Sequence, residues 1–331
     1  MRKDRLYVVA SVLLLTGAVL TACSADDASV QPQSARSNII SLTSTLAATR
    51  AASDPQTTQL NTAVEVGVFG VSGSTLVSNG SNARYSVQAD GSLTAKSSTM
   101  EWPSAGSISL YAYVPFQSGW TLGGANSFSV AADQTTADGY LKSDLLYGTP
   151  AANPVSQTET AVPLTFRHLM AKMTIKVVKS DDDDTDLSKA SLTVSGTKIT
   201  TTLTPQTGVL GEATGDAADI KVAATIGTAA TACAVLVPQP IAAGTELVKM
   251  VVGDRLLTAR MATAVTLESG KAYTFSFNFV KSELLLGQVT IADWATGADL
   301  GISSTVDETG NVESGMGGDA TEPARSPRNN K

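Results

Sequence analysis

The chain has 331 residues, of which 43% are hydrophobic, 16% charged and 5% aromatic, with a net charge of −7. That length holds two ordinary domains or one large all-β domain, and the apolar content excludes disorder along the whole chain. An acidic chain has no long-range attraction for phosphate backbones, and one histidine with two cysteines cannot furnish the ligand set of a zinc or iron site, so neither a nucleic-acid partner nor a metal or cofactor is expected.

Residues 1–22 read as a secretory signal peptide. Arg2, Lys3 and Arg5 precede a mostly apolar stretch from Leu6 to Val19, which is short for a spanning helix. Leu20-Thr21-Ala22-Cys23 follows and resembles the lipobox of bacterial lipoproteins, in which the cysteine is acylated and becomes the first residue. With Cys23 lipidated, Cys233 has no intramolecular partner. Its apolar setting, Ala232-Cys233-Ala234-Val235-Leu236-Val237, predicts a buried and inert thiol.

Residues 24–38 are small and polar and read as a solvated tether. A single strand-like segment then stands alone, carrying Ile39, Ile40, Leu42 and Leu46, with Arg50 just beyond it. From Ala63 onward the pattern is period-two alternation. Val64, Val66 and Val68 share one face, as do Ile108, Leu110, Ala112 and Val114. Met173, Ile175 and Val177 form a third such set, and Tyr273, Phe275, Phe277 and Phe279 a fourth. Clusters of Gly, Asn, Asp and Ser punctuate these runs as turns. The fold class is therefore all-β, built as antiparallel β-sandwich domains.

A Pro-containing linker at 148–163 predicts a boundary between an N-terminal domain at 51–162 and a C-terminal domain at 163–306. The run Asp181 to Asp184 reads as a solvated turn, because its spacing fails the calcium-loop pattern. His168 begins an alternating strand and has no second catalytic partner to nominate, so a structural role is expected and an enzyme is not. Trp102, Trp120 and Trp294 read as core or rim residues; a sugar platform, with Trp120 exposed, is the alternative. After Trp294 only Leu300, Ile302 and Val306 offer apolar alternation, and residues 307–331 read as a disordered tail.

Several segments together resemble the fimbrillin family of type V pilus lipoprotein precursors. They are the lipobox at Cys23, Thr49-Arg50-Ala51, Val66-Gly67-Val68-Phe69, Trp102 with Leu110-Tyr111-Ala112-Tyr113-Val114-Pro115, and Ser143-Asp144-Leu145-Leu146-Tyr147. Phe166-Arg167-His168-Leu169-Met170-Ala171-Lys172-Met173, Val235-Leu236-Val237-Pro238-Gln239, Gly270-Lys271-Ala272-Tyr273-Thr274-Phe275 and Ile291-Ala292-Asp293-Trp294 continue the series.

The resemblance implies two transthyretin-like β-sandwich domains and no enzymatic activity. It implies export to the bacterial outer membrane on a lipid at Cys23, display at the cell surface and a place in a fimbrium. It further implies an Arg-specific maturation protease, which would cut after Arg50 and free the strand of Ile39, Ile40, Leu42 and Leu46. The partners would be other pilus subunits, joined by strand exchange, with an adhesion receptor that the sequence does not name. Stalk subunits donate a C-terminal strand, for which Leu300, Ile302 and Val306 make a weak candidate, so a tip or accessory subunit is the expectation. The alternative is a surface-anchored lipoprotein that captures glycans.

Overall fold

The computed structural model describes residues 38–47, 59–180, 184–226, 229–280 and 283–294, with the backbone of two short strands at 303–306 and 312–314. In chain order come β1 (Leu42–Leu46), β2 (Glu65–Ser72), β3 (Thr75–Leu76), β4 (Ala83–Val87), β5 (Ser92–Ala95) and β6 (Ser107–Val114). β7 (Asn126–Ser129) and β8 (Asp133–Gln134) precede the helix α1 (Ala137–Ser143), after which β9 (Leu146–Thr149), β10 (Val155–Ser156) and β11 (Val162–His168) follow. Next are β12 (Ala171–Lys179), β13 (Ser191–Thr204), β14 (Val209–Leu210), β15 (Thr214–Val222), β16 (Ala224–Ile226), β17 (Ala229–Leu236) and β18 (Gln239–Ile241). The chain continues through β19 (Glu246–Val252), β20 (Arg255–Arg260), β21 (Val265–Leu267), β22 (Lys271–Val280), β23 (Glu283–Asp293), β24 (Ser303–Val306) and β25 (Val312–Ser314). The class is all-β, as the alternation predicts.

The first sheet runs β10-β6-β9-β11-β1-β5-β4-β2-β3, and β2 also pairs β6. That extra pairing closes the ladder on itself through β6, β9, β11, β1, β5, β4 and β2. Alternation sets what lies inside the closed ladder. Val66, Val68, Ile108, Leu110, Ala112, Val114, Leu164 and Phe166 are all buried there. Gly148 on β9 lies opposite Phe166 on β11, and a Cβ at Gly148 would stand 2.7 Å from the Phe166 ring. A glycine is required there by close approach and not by backbone conformation.

Two further sheets share a second core. One runs β16-β17-β12-β22-β23-β24-β25, the other β20-β19-β13-β15-β8 with β7 and β14 paired to β13. Met173, Ile175 and Val177 of β12 and Tyr273, Phe275, Phe277 and Phe279 of β22 are buried against Leu192 and Val194 of β13, Ile220 of β15 and Met250 of β19. β7 and β8 lie early in the chain, yet they pair with β13 and β15. β11, although it begins at Val162, belongs to the closed ladder.

Most strand pairs are antiparallel, and three are not. β1 with β11, β12 with β22 and β8 with β15 run parallel. Side-chain alternation reports which face of a strand is buried and is silent on the direction of its neighbour.

α1 sits between β8 and β9. The Thr136 side chain accepts a hydrogen bond from the Gly139 N–H, and Asp138 and Lys142 form an ion pair of 2.8 Å one turn apart. Both charges suit the helix dipole. Phe166→Ala should lower the unfolding free energy by about 3–5 kcal/mol. A urea titration should show an earlier midpoint with an unchanged slope.

Candidate functional site

β1 has neighbours on both sides. It pairs in parallel with β11 from Leu42↔Val162 to Leu46↔Phe166, and antiparallel with β5 at Leu42↔Leu93 and Thr43↔Ser92. Further backbone bonds extend the grip along the strand. Ile40 N–H donates to Met100 O at 2.9 Å, Ser44 N–H to Gly91 O at 2.8 Å, and Ala47 N–H to Phe166 O at 2.8 Å. Val162 N–H donates in return to Ser41 O at 2.8 Å.

Alternation decides what the strand buries. Ile40, Leu42, Ser44 and Leu46 point inward, exposed by only 2, 2, 2 and 6%. Ile39, expected among the strand's apolar set, points the other way and is 48% exposed, its backbone bridged to Glu101. The one inward polar group, Ser44 Oγ, donates to Gly91 O at 3.0 Å. Gly91 stands at φ +81° in the turn between β4 and β5, a conformation that suits glycine and presents its carbonyl to both Ser44 donors. On the outer face Thr45 Oγ1 lies 3.5 Å from Thr165 Oγ1 and from Leu164 O. On β4, burial pushes the Tyr85 hydroxyl above its ordinary pKa.

Removing β1 from this arrangement would leave β5 and β11 as two open edges over an apolar trough. Such an edge is a template for another strand, with backbone bonds supplying affinity and inward pockets supplying selectivity. The trough is shaped to β1, with aliphatic side chains at Ile40, Leu42 and Leu46 and a small hydroxyl at Ser44.

Other residues singled out in the sequence are distributed as follows. Cys23 and Arg50 lie outside the described residues, as do Leu300 and Ile302. The backbone of Val306 ends β24, which pairs β23 antiparallel. Asp181 to Asp183 are also outside, and Asp186 accepts from the Ser188 N–H and hydroxyl in a local turn. Among the described residues no group of three or more His, Cys, Asp and Glu is gathered as a metal site.

His168 is buried, with Nδ1 2.9 Å from Asp144 Oδ1 and its ring stacked on Trp294 at 3.9 Å and 10°. Its Nε2 is enclosed without a hydrogen-bond partner. The imidazole thus ties the C-cap of α1, the end of β11 and the end of β23 together, and presents nothing to solvent.

All three tryptophans are buried, and Trp120 stacks on Tyr113 at 4.4 Å. Burial also pushes the Tyr113 hydroxyl up to about 12. This overturns the exposed-Trp120 sugar platform, because a face stacked on Tyr113 is not free for a sugar. Cys233 corrects a second expectation. It is half-buried, 3.7 Å from Thr174 Oγ1, and lines an open cleft of about 450 Å³ with Lys176, Thr225 and Thr231. Sequence reasoning missed that cleft because β12 and β17 carry small and hydroxyl residues on their outer face, which α1 only partly covers.

A model of the fimbrillin-like family matches residues 49–294. The chain belongs to that family. β1 precedes the matched span, which starts one residue before Arg50. Two solved structures, both of candidate cell adhesion proteins, are similar to this chain. The one from Bacteroides ovatus has a TM-score of 0.63 at 20% identity, covering 78% of this chain and 98% of that one. The one from Bacteroides uniformis has a TM-score of 0.58 at 20% identity, covering 78% and 99%. At that identity the likeness is one of fold. No curated protein matches the chain.

Leu42→Ala leaves a cavity between β5 and β11 and should cost about 2–5 kcal/mol. Hydrogen exchange should quicken at the amides of β1, β5 and β11 while those of β22 stay protected. Equal quickening in β22 would mean that the slot does not open on its own.

Proposed function

We propose that this fimbrillin-like chain is a structural, non-enzymatic subunit of a type V pilus that supports adhesion. In this reading it is exported as a lipoprotein anchored to the outer membrane through Cys23. An Arg-specific protease then cuts after Arg50, β1 leaves, and a strand from another subunit enters between β5 and β11. Its two domains would be the closed ladder, which takes in β11 and so moves the boundary expected at 162/163 past His168, and the two-sheet unit from β12 onward joined by β7 and β8. It would stand in a tip or accessory position.

The observation that carries this reading is the position of β1. It completes a closed ladder, yet it is joined to the rest of the ladder in sequence only through residues 48–58, where Arg50 is the one basic residue. A cut there severs no other strand. Arg36, the only other basic residue between Cys23 and Arg84, precedes β1, and a cut after it would leave the strand attached.

The test is N-terminal sequencing with intact mass on protein recovered from native cell surfaces. A start at Ala51 without lipid is expected. Arg50→Ala should leave lipidated precursor starting at Cys23 and absent from assembled fibres. Normal assembly of that variant would falsify the processing step.

A further inference from the structure

The cleft lined by Lys176 and Cys233 is a concave site on the outer face of the sheet that contains β16, β17 and β12. Register places Thr225 of β16, Thr231 of β17 and Lys176 of β12 side by side in one row across three adjacent strands. Cys233 and Thr174 form the next row on the same face. Neighbouring strands stand about 4.8 Å apart, so the two rows make a floor of side chains at fixed spacing. α1 and the residues before it form the wall, with Thr135, Thr136 and Tyr140 lining the cleft. β17 is paired by β16 and β12, β12 by β17 and β22, and Tyr140 packs against the second core. The walls are therefore held in place before any ligand arrives, and a volume of about 450 Å³ suits a small molecule.

The lining carries one charge. Among the described residues, Lys176 is the only charged side chain that lines the cleft, and its Nζ has no hydrogen-bond or ion-pair partner. Other lysines are tied to acids, Lys142 to Asp138 at 2.8 Å and Lys249 to Asp219 at 3.0 Å. In a chain of net charge −7, an uncompensated cation in a concave site favours an anion there. One ammonium balances one carboxylate, whereas a phosphate monoester, with about −1.5 to −2 charges, would be left unbalanced. Around Lys176 the threonines each present a hydroxyl beside a methyl, and Tyr140 adds aromatic surface. A sugar ring has the same mixed character, with hydroxyls at its rim and C–H groups on its faces. Thr135 Oγ1 already donates to Asp133, and Thr136 Oγ1 accepts from the Gly139 N–H. The hydroxyls of Thr225 and Thr231 have no partner among the described residues.

We propose that this cleft binds an acidic sugar unit of a glycan, a pyranose that bears a carboxylate. Lys176 Nζ donates to the carboxylate. Thr225 and Thr231 exchange hydrogen bonds with ring hydroxyls, and Tyr140 with the threonine methyls takes the C–H face. The inference does not need β1 to leave, because no residue of the lining belongs to the closed ladder. It also differs from the sugar platform expected at Trp120, which offered an aromatic face and no charge. A uronic acid and a sialic acid share the chemistry that the cleft would recognise, and they differ in size.

The test uses the full-length chain, expressed with its signal peptide and recovered from the cell surface in mild detergent. Methyl β-D-glucuronide and the methyl glycoside of N-acetylneuraminic acid are the acidic probes. Methyl β-D-glucoside is the neutral ring, and N-acetylglutamate is a carboxylate without a ring. Saturation-transfer NMR reads contact with the ligand, and the alkylation rate of Cys233, followed on the peptide that carries it, reads occupancy of the cleft. Saturation by one or both acidic sugars is expected, together with slower alkylation, and the probe that binds assigns uronic or sialic acid. Lys176→Gln should weaken binding about tenfold or more, the scale of one hydrogen bond to a charged group. Lys198→Gln, on β13 and outside the cleft, should leave binding unchanged. Protein that starts at Cys23 and protein that starts at Ala51 should bind alike.

No saturation by either acidic sugar would overturn the inference, and so would binding that survives Lys176→Gln undiminished or leaves Cys233 unprotected. Equal binding of methyl β-D-glucoside would remove the role of charge, and equal binding of N-acetylglutamate that of the ring; either result overturns the assignment to an acidic sugar. N-termini found only at Cys23 would overturn the processing reading and leave this one standing.

Discussion

Closure of the first ladder is the constraint on which the rest of this half depends. An open sheet exposes two rows of unpaired N–H and C=O groups, and a ring exposes none. Here the ring closes only because β1 lies between β5 and β11, with its registers running to Leu93 on one side and to Phe166 on the other. β1 also carries part of the core, since Ile40, Leu42 and Leu46 are buried with Leu164, Phe166 and Leu93. One short segment therefore satisfies two strand edges and fills a trough, and no other strand of the ring stands so far in sequence from its neighbour. Thr45 and Thr165 face each other across 120 residues.

The second core draws mainly on strands that follow β11, namely β12, β13, β15, β17, β19 and β22, and none of its buried residues lies on β1. Phe128 of β7 and Phe69, Tyr113 and Tyr147 of the first ladder also pack into it. β11 and β12 are separated by Leu169 and Met170 alone, both buried. Around this passage Leu169 N–H donates to Leu145 O, Gly270 N–H to Met170 O and Trp294 N–H to Gly270 O, while His168 holds Asp144 and stacks on Trp294. Opening the slot would disturb β5 and β11 at their free edges, with this knot of backbone and side-chain bonds at the far end of β11.

Much of this was legible in the sequence, and the limits have physical causes. Period-two alternation identified the buried faces of β2, β6, β12 and β22, and the residues it chose are buried. It also found an isolated strand around Leu42, because apolar alternation between two polar tracts has few other readings. Alternation cannot report a partner, since every strand shows the same period whatever lies beside it. The parallel pairing of β1 with β11, the closure through β2 and β6, and the assignment of β7 and β8 to the second core were therefore invisible. Ile39 belongs to the apolar set of this segment, yet period two from Leu42 sends it outward. Cys233 lies on an outer face whose cover depends on α1, a seven-residue helix with too few turns to show a periodic stripe.

The composition of β1 also bears on how a cut after Arg50, just beyond the slot, would release it. Three aliphatic side chains buried at about 1.5–3 kcal/mol each supply a modest gain. While the strand is part of the chain, residues 48–58 hold it at a high effective concentration and the modest gain suffices. A break after Arg50 would leave every contact in the slot unchanged, yet rebinding would become bimolecular and would bear the cost of lost translational freedom. A strand that is stable in cis would then be exchangeable in trans, with no conformational signal passing through the fold. Ser44 adds a hydrogen bond to Gly91 O but little apolar area, so the grip of the strand rests on Ile40, Leu42 and Leu46.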